Sequence, residues 1–126
     1  MLAAIGQGRE ATVYRMENRE RRAYVLSYVP KYFALRVPRK RAKDSRYMLV
    51  LCALPVHRHV VTVHAADHAT GGLLLEYMPG GTLEHEVICN GISAKRARIV
   101  AGQVLRGVAH LHAHGCMHGD VNPSNV

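Results

Sequence analysis

The chain has 126 residues, enough for one small domain, and its 48% hydrophobic and 21% charged residues are ordinary for a globular protein. This composition excludes a collagen-like, low-complexity or wholly disordered chain. The formal net charge of +8 leaves nucleic-acid binding open, but no zinc-finger spacing or aromatic RNA-binding signature accompanies it, and charge alone is not specific.

Cysteine usage and the N-terminus indicate the compartment. The three cysteines are odd in number and widely spaced, which argues against a disulfide framework or a zinc site and for a reducing environment. The sequence shows no signal peptide, and its longest apolar run, at 47–56, is too short to span a bilayer. We therefore predict a cytoplasmic or nuclear protein without a membrane partner.

The first half of the chain is predicted to be rich in strands. Short apolar segments between turn residues predict strands at 2–5, 11–16, 32–37, 60–63 and 73–77. Polar residues at 19–22 suit a hairpin tip, and Pro30 makes the segment before the third strand irregular. Pro79, Gly80 and Gly81 then break the chain and separate this half from a helical half.

Helical spacing of apolar residues predicts helices at 44–54, 82–88 and 94–114. Ser93 is a suitable N-cap for the last helix, and Gly115 a suitable C-terminal stop. Its apolar stripe comprises Val100, Val104, Val108 and Leu111. A short strand and a proline-containing loop are predicted after this helix.

The segment IGQGREATVY at 5–14 places Gly6 and Gly8 between two predicted strands, with Val13 after them. A glycine pair at such a turn lets backbone N–H groups approach phosphates without a clash at Cβ. A plain β-turn uses glycines as well, so this motif alone does not identify a nucleotide site.

The segment HGDVNPSN at 118–125 places Asp120 and Asn125 five residues apart across a proline-containing loop. Phosphoryl transfer needs a carboxylate that orients the attacking hydroxyl and accepts its proton, and it needs oxygen ligands for magnesium. Asp120 suits the first task and Asn125 the second. The structural alternative is an Asx-rich turn after a helix.

Together these segments resemble the protein kinase catalytic domain of serine/threonine type. IGQGREATVY resembles the glycine-rich loop G-x-G-x-x-G-x-V, with Ala11 at the third glycine, and HGDVNPSN resembles the catalytic loop H-R-D-x-x-P-x-N. Between them, LLLEYMPGGTL at 73–83 resembles the fifth strand and hinge, and VAHLHAHGCMHGD at 108–120 resembles the helix end before the catalytic loop. The resemblance covers essentially the whole chain.

The resemblance implies an α+β, protein-kinase-like fold: a small antiparallel, β-rich N-lobe with one helix, then the first helices of a C-lobe. It assigns about 1–76 to the N-lobe, 77–81 to the hinge, and 82–126 to the start of the C-lobe through the catalytic loop. The sequence holds no D-F-G segment, so it resembles a truncated domain. We expect the chain alone to be inactive and weakly folded or self-associating.

The family's roles carry over position by position. Asp120 would be the catalytic base, Asn125 a catalytic-loop residue and magnesium ligand, and His118 a support of the loop. The residues expected to bind ATP are Ile5, Gly6, Gly8, Val13, Ala34, Arg36, Leu75, Glu76 and Met78. Of these, Leu75 resembles the gatekeeper beside the adenine. The implied cofactors and partners are ATP, Mg²⁺ and a protein substrate with a serine or threonine hydroxyl.

Several positions depart from the family pattern. Arg36 stands where the phosphate-binding lysine is expected, and Tyr47 stands where the glutamate of the second helix is expected, with Asp44 one turn earlier. In the catalytic loop, Gly119 replaces an arginine and Asn122 replaces a lysine. These departures keep a non-catalytic pseudokinase or scaffold open as the alternative, with a basic nucleic-acid-binding domain as a third, supported only by charge.

Overall fold

The computed structural model of the chain describes residues 3–8, 11–17, 31–39 and 45–126, with side chains from 48 onward in the last range. The strands are β1 (Ala3–Gln7), β2 (Ala11–Glu17), β3 (Tyr32–Pro38), β4 (Val63–Asp67) and β5 (Gly72–Glu76). The helices are α1 (Ser45–Ala53), α2 (Leu83–Asn90) and α3 (Ala94–Ala113), followed by a 3-10 turn at Pro123–Asn125. The predictions made for 19–22, Pro30 and Asp44 lie outside the described residues.

The chain divides into two compact units, which we call the sheet unit and the helical unit. The sheet unit comprises Met1–Ala53 and Thr62–Tyr77, and the helical unit comprises Leu54–Val61 and Met78–Val126. The sheet unit carries one five-stranded sheet in the order β1-β2-β3-β5-β4, antiparallel at every pairing. The predicted α+β fold class, a small antiparallel β-rich lobe followed by helices, is confirmed.

The core of the sheet unit is small. Among its described residues, the buried apolar ones are Ala11, Ala34, Met48 and Leu73. Met48 is 4% exposed and belongs to α1, which contacts β4. Because two of these four residues are alanines, the hydrophobic contribution of the four to stability is modest.

The fourth strand begins at Val63, so the prediction of a strand at 60–63 is wrong. The Val60 N–H donates to the His57 carbonyl at 3.0 Å and closes a turn instead. The apolar residues Val60 and Val61 are therefore part of a loop, and pairing with β5 starts only where the chain extends again. A β-branched pair favours a strand locally, but here the turn determines the conformation.

Helix α3 begins and ends where its caps predict. The Ser93 hydroxyl accepts the Arg96 N–H at 3.2 Å, and after Ala113 the chain turns at Gly115 with φ of 71°. The Cys116 N–H then donates back to the Leu111 carbonyl at 2.9 Å. The prediction of a short strand after the helix is therefore wrong, because the backbone N–H of this segment bonds to a free carbonyl at the end of α3 and not to a neighbouring strand.

Among the described helices, none combines the length and hydropathy that a membrane span requires.

The segment 54–61 lies against α3 within the helical unit. A Cβ built on Gly107 of α3 would lie 2.5 Å from the carbonyl oxygen of His59, closer than real Cβ atoms approach. Glycine at this position therefore permits the close approach of loop and helix, in spite of its cost to helix propensity.

Replacing Gly107 with alanine is expected to lower the free energy of unfolding by roughly 1–3 kcal/mol, since the new methyl group collides with backbone. Gly102 of the same helix is a matched control: the nearest heavy atom to its added Cβ is the Arg106 Nη1 at 3.9 Å. Gly102→Ala should stabilise by about 0.5–1 kcal/mol through helix propensity alone. Chemical denaturation of both variants checks this, and equal shifts in the same direction would contradict it.

Histidines fill the contact between the 54–61 segment and α3. The His57 ring stacks on His110 with centroids 4.4 Å apart and planes 13° apart, and the His110 Nε2–H donates to the Pro55 carbonyl at 3.0 Å. The His57 Nδ1 accepts the His59 N–H at 3.3 Å. Desolvation, and next the nearby charges of His110, His59 and Arg58, lower the pKa of His57 below its ordinary value of 6.5.

Acidification is expected to destabilise the folded chain, because His57 binds fewer protons when it lies against α3 than when it is free in the unfolded chain. The contribution of His57 to the free energy of unfolding is complete above its ordinary pKa of 6.5 and is lost as the pH falls through the lowered pKa. His57→Phe keeps a flat ring against His110 but cannot titrate, so it should flatten the fall in thermal midpoint between about pH 7.5 and about pH 5.5. His112→Phe, at an exposed position of α3, is the control. A His57→Phe profile identical to the parent's would contradict this expectation.

Candidate active site

Four of the predicted ATP-binding residues lie on one face of the sheet. Val13 on β2 is opposite Arg36 on β3, and Ala34 on β3 is opposite Leu75 on β5. Directly opposite residues share a face, as do residues two apart on one strand, so the four side chains point to the same side. Ala34 is buried and the other three are half-buried. The sheet therefore brings together residues that span 62 positions of the sequence, from 13 to 75.

The predicted glycine turn joins β1 and β2. The Gly8 N–H donates to the Ala11 carbonyl at 2.9 Å, and Gly6 pairs with Val13. A Cβ added to Gly6 or Gly8 would meet its nearest neighbour at 3.8 or 3.6 Å, an ordinary contact, and neither residue has a left-handed φ. The hairpin itself therefore does not require glycine at these positions. Ile5 lies beside them, 48% exposed, at a register irregularity of β1.

Arg36 lies in the middle of β3, between Val13 and Leu73 of the neighbouring strands. Across the described part of the chain, the only ion pair joins Arg96 and Glu86, so no described carboxylate neutralises Arg36. The side chain of Tyr47, at the position expected for a glutamate, lies outside the described side chains. The Lys31 ammonium group lies 5.1 Å from the ring centroid of Tyr32, so this lysine is engaged elsewhere.

Glu76 ends β5 and is fixed by its own strand neighbours. Its N–H donates to the Thr62 carbonyl at 2.9 Å, and its carboxylate accepts the Thr62 N–H at 3.3 Å. The side chain of Glu76 thus has a structural role within the sheet unit. Met78, another residue predicted to bind ATP, belongs to the helical unit and is 47% exposed.

The helical unit holds the predicted catalytic pair in direct contact. The Asn125 Nδ2 donates to the Asp120 Oδ2 at 2.8 Å and to the Asp120 carbonyl at 2.8 Å. Both atoms only accept, so the amide nitrogen must face Asp120, and the Asn125 Oδ1 is the atom that remains for another partner. The His118 Nδ1 accepts the Asp120 N–H at 3.2 Å, which supports the loop as predicted for this histidine.

A second carboxamide contacts Asp120, and sequence reasoning missed its role. The Asn122 Nδ2 donates to the Asp120 Oδ1 at 2.9 Å, while its own Oδ1 accepts the Ser124 N–H at 3.0 Å. From the sequence alone, Asn122 is only a departure from the family lysine. The available signal was its place before Pro123, since asparagine preceding a proline commonly caps a short helical turn.

Helix α2 holds the other end of this loop. The Leu83 N–H, one of the free donors at the start of α2, donates to the Val126 carbonyl at 2.6 Å. Within the loop, Gly119 has φ of 76°, a left-handed conformation that costs other residues about 1 kcal/mol. Gly119 therefore relieves the strain that an arginine would carry in this backbone.

The sequence of the chain can be compared with those of known proteins. The sequence profile described as "Protein kinase domain" matches residues 1–126, the whole chain. The chain belongs to the protein kinase domain family. The resemblance deduced from the glycine turn and the HGDVNPSN loop is thereby confirmed at the level of the family.

Several curated relatives of this kinase domain carry kinase names. The chain is 35% identical over 95 residues to CBL-interacting protein kinase 17 of Oryza sativa subsp. japonica, covering 72% of this chain and 21% of the relative. It is 38% identical over 72 residues to the serine/threonine-protein kinase SMU1 of Mycosarcoma maydis, 56% of this chain and 10% of the relative. The kinase domain thus spans about a tenth to a fifth of the length of these relatives.

A third relative aligns along nearly the whole kinase domain. The chain is 28% identical over 130 aligned residues to inhibitor of nuclear factor kappa-B kinase subunit epsilon of Mus musculus, covering 97% of this chain and 18% of the relative. The family assignment accounts for the fold and for the order of the motifs. The roles of the individual residues are predictions that rest on the contacts described above.

Proposed function

We propose that this kinase domain belongs to a protein kinase that transfers the γ-phosphoryl group of ATP to a serine or threonine hydroxyl of a protein substrate. One observation carries the proposal: the Asp120 carboxylate accepts an amide N–H on each oxygen, from Asn122 and from Asn125. A carboxylate fixed in this way is oriented before the substrate arrives, and orientation is most of what protein groups contribute to phosphoryl transfer.

Asp120 can act on the attacking hydroxyl because its carboxylate is not saturated. Each carboxylate oxygen can accept two hydrogen bonds, so one lone pair per oxygen remains after the two amide contacts. The substrate oxygen forms a bond to the γ-phosphorus, the bond from phosphorus to the bridging oxygen of ADP breaks, and the hydroxyl proton passes to Asp120. Asp120 is exposed, so a substrate side chain can reach it.

The residues present fit magnesium and a nucleotide. The Asn125 Oδ1 is a carboxamide oxygen, a type of ligand that magnesium accepts, and its opposite nitrogen is already committed to Asp120. Magnesium, when bound, neutralises the charge on the phosphates. On the sheet unit, Gly6 and Gly8 carry no Cβ that would hinder a phosphate from approaching the hairpin backbone, and Arg36 offers a cation not neutralised by any described carboxylate.

The sequence and the relatives favour serine or threonine as the acceptor. HGDVNPSN lacks the A-A-R or R-A-A signature that tyrosine kinases carry in the catalytic loop. The relative SMU1 is named a serine/threonine-protein kinase. We therefore expect the complete protein to phosphorylate serine and threonine, with ATP and Mg²⁺ as cofactors.

The test is transfer of label from γ-labelled ATP to a mixture of protein substrates by the complete protein that carries this domain, followed by identification of the phosphorylated amino acids. We expect labelled phosphoserine and phosphothreonine, dependent on magnesium. Transfer to tyrosine alone would overturn the proposed acceptor, and binding of ATP without any transfer would overturn the proposed reaction.

A pseudokinase is the second candidate, and Arg36 in place of the family lysine is the observation that favours it. Arginine keeps the charge but presents a planar fork instead of a compact ammonium group. Thermal stabilisation by nucleotide with and without magnesium separates a nucleotide-binding domain from a scaffold, because a ligand stabilises only the state that it binds. A D-F-G segment shortly after Val126 in the complete protein would favour the enzyme.

A further inference from the structure

Two basic and two aromatic side chains of the sheet unit lie together at the start of β3. The Arg15 Cζ is 5.2 Å and the Lys31 Nζ is 5.1 Å from the centroid of the Tyr32 ring. The Tyr77 ring makes a T-shaped contact with Tyr32, with centroids 5.9 Å apart and planes 68° apart. Both cations are exposed and both rings are half-buried. We call these four residues the aromatic–cation cluster.

The aromatic–cation cluster extends the face of the sheet that carries Ala34. Arg15 on β2 is opposite Ala34, and Tyr32 is two residues before Ala34 on β3. Opposite residues share a face, as do residues two apart on one strand. Arg36 is four residues from Tyr32, so about 13 Å of strand separates the two positions. The cluster is therefore separate from the cation that we expect to contact the ATP phosphates.

The positive charge of the cluster is only partly offset. In the described part of the sheet unit, no carboxylate forms an ion pair with Arg15 or Lys31. Glu17, opposite Tyr32 and on the same face, is an exposed carboxylate that forms no ion pair there. By sequence alone, the residues between β2 and β3 include one further acid, Glu20, and three further cations, Arg19, Arg21 and Arg22.

Two cations on one aromatic ring suit a single phosphate group. Both cationic atoms lie about 5 Å from the same centroid, so they are at most about 10 Å apart. Cation–π attraction holds both side chains near the ring, which lowers the entropy lost when they bind a common ligand. A phosphorylated serine or threonine carries about −1.5 to −2 charges at neutral pH and three acceptor oxygens, which match a guanidinium fork and an ammonium group.

A single-stranded nucleic acid suits the cluster less well. Such ligands need a row of cations along the backbone and aromatic faces on which successive bases stack. The Tyr32 ring already contacts two cations and the Tyr77 ring, and these contacts compete with a stacking base. We propose that the aromatic–cation cluster binds a phosphorylated serine or threonine side chain in a peptide segment of a protein partner. This site does not depend on the proposed function, because any kinase can supply the phosphate.

The test measures, by fluorescence anisotropy, the binding of a labelled glycine–serine peptide with one phosphoserine to the complete protein. We expect the phosphorylated peptide to bind at least about tenfold tighter than its unphosphorylated form. Arg15→Gln and Lys31→Gln should each weaken binding roughly tenfold, since each removes a charged hydrogen-bond donor. Glu17→Gln should tighten binding about twofold to fivefold, because it removes a repulsive charge.

Arg39→Gln is the matched control, because it removes an exposed cation beyond the other end of β3. It should change the affinity less than about twofold, since distant exposed charges are screened by salt. Thermal midpoints establish that every variant is folded. Equal affinity for the two peptides would overturn the proposal, as would equal losses in Arg15→Gln and Arg39→Gln.

Two competitors and one further variant test the identity of the ligand and the site. Displacement of the peptide by inorganic phosphate or by a single-stranded oligonucleotide, at concentrations below the dissociation constant of the peptide, would overturn the proposal in favour of that ligand. Loss of peptide binding in Arg36→Ala without any loss in Arg15→Gln would also overturn it. A complete protein that transfers no phosphate would overturn the proposed function, while peptide binding would still decide the role of the cluster.

Discussion

Asp120→Asn is expected to reduce phosphoryl transfer by the complete protein roughly 10²- to 10⁴-fold, because it removes the group proposed to accept the hydroxyl proton. Binding of ATP should change little, since the proposed role of Asp120 is on the substrate hydroxyl and not on the nucleotide. The measurement is kcat together with the dissociation constant for ATP, determined on parent and variant under the same conditions.

Asp67→Asn is the matched control for this variant. Asp67 is an exposed carboxylate at the end of β4, where it accepts the Ala69 N–H at 2.9 Å and the Thr70 hydroxyl at 2.6 Å from the turn before β5. The same chemical change at Asp67 should leave kcat close to that of the parent. Equal loss of ATP affinity and turnover in Asp120→Asn would contradict the role assigned to Asp120.

Arg36→Ala should weaken binding of magnesium–ATP roughly tenfold to a hundredfold, the range expected for a lost charge-assisted hydrogen bond. Arg36→Lys should retain most of the affinity or raise activity, because a compact ammonium group suits a phosphate oxygen. Isothermal titration with nucleotide measures both variants. The expectation depends on Arg36 lying opposite Val13 on the neighbouring strand, on the face of the sheet that Ala34 shares.

Arg39→Ala controls for the general effect of removing one positive charge. Arg39 is exposed and follows the end of β3. It should lower the affinity only slightly, as long-range interactions between exposed charges are screened by salt. If Arg36→Ala binds nucleotide as well as the parent does, Arg36 is a solvated strand residue and the third strand has been aligned wrongly with the family.

Much of the fold could be predicted because its signals are local. Strands β1 and β2 were predicted from two apolar segments around a turn, and α3 from an apolar stripe with Ser93 before it and Gly115 after it. Within this stripe Val100 and Leu111 are buried, at 7% and 8% exposed, while Val104 and Val108 are half-buried. Local spacing predicts which residues face inward, but it does not predict how completely neighbouring segments cover them.

The features that sequence reasoning missed depend on contacts between distant segments. The start of β4 depends on the turn closed by His57 and Val60, and that turn lies against Gly107, some 50 residues later, as 107 minus 57. The contact of Asn122 with Asp120 depends on which amide atom Ser124 selects. Residue types alone do not determine either arrangement, because each depends on three groups that come into contact only in the folded chain.

The role of the catalytic pair was predicted from spacing, but its geometry was not. Asp120 and Asn125 are five positions apart, and their spacing alone does not predict the direct hydrogen bond of 2.8 Å between the two side chains. The 3-10 turn at Pro123–Asn125, in which the Asn125 N–H donates to the Asn122 carbonyl at 3.0 Å, brings Asn125 back to Asp120. The φ of 76° at Gly119 gives the glycine that replaces the family arginine a backbone explanation.

We propose that Gly6 and Gly8 contact the nucleotide and, separately, that Asn125 binds magnesium, and selective NMR labelling tests both proposals most directly. Glycine and asparagine nitrogens of the complete protein are labelled, and a non-hydrolysable ATP analogue is added with and without magnesium. The account predicts that the Gly6 and Gly8 amide signals shift with nucleotide, and that the Asn125 carboxamide signal shifts only when magnesium is also present. Unchanged Gly6, Gly8 and Asn125 signals at saturating nucleotide and magnesium would contradict it.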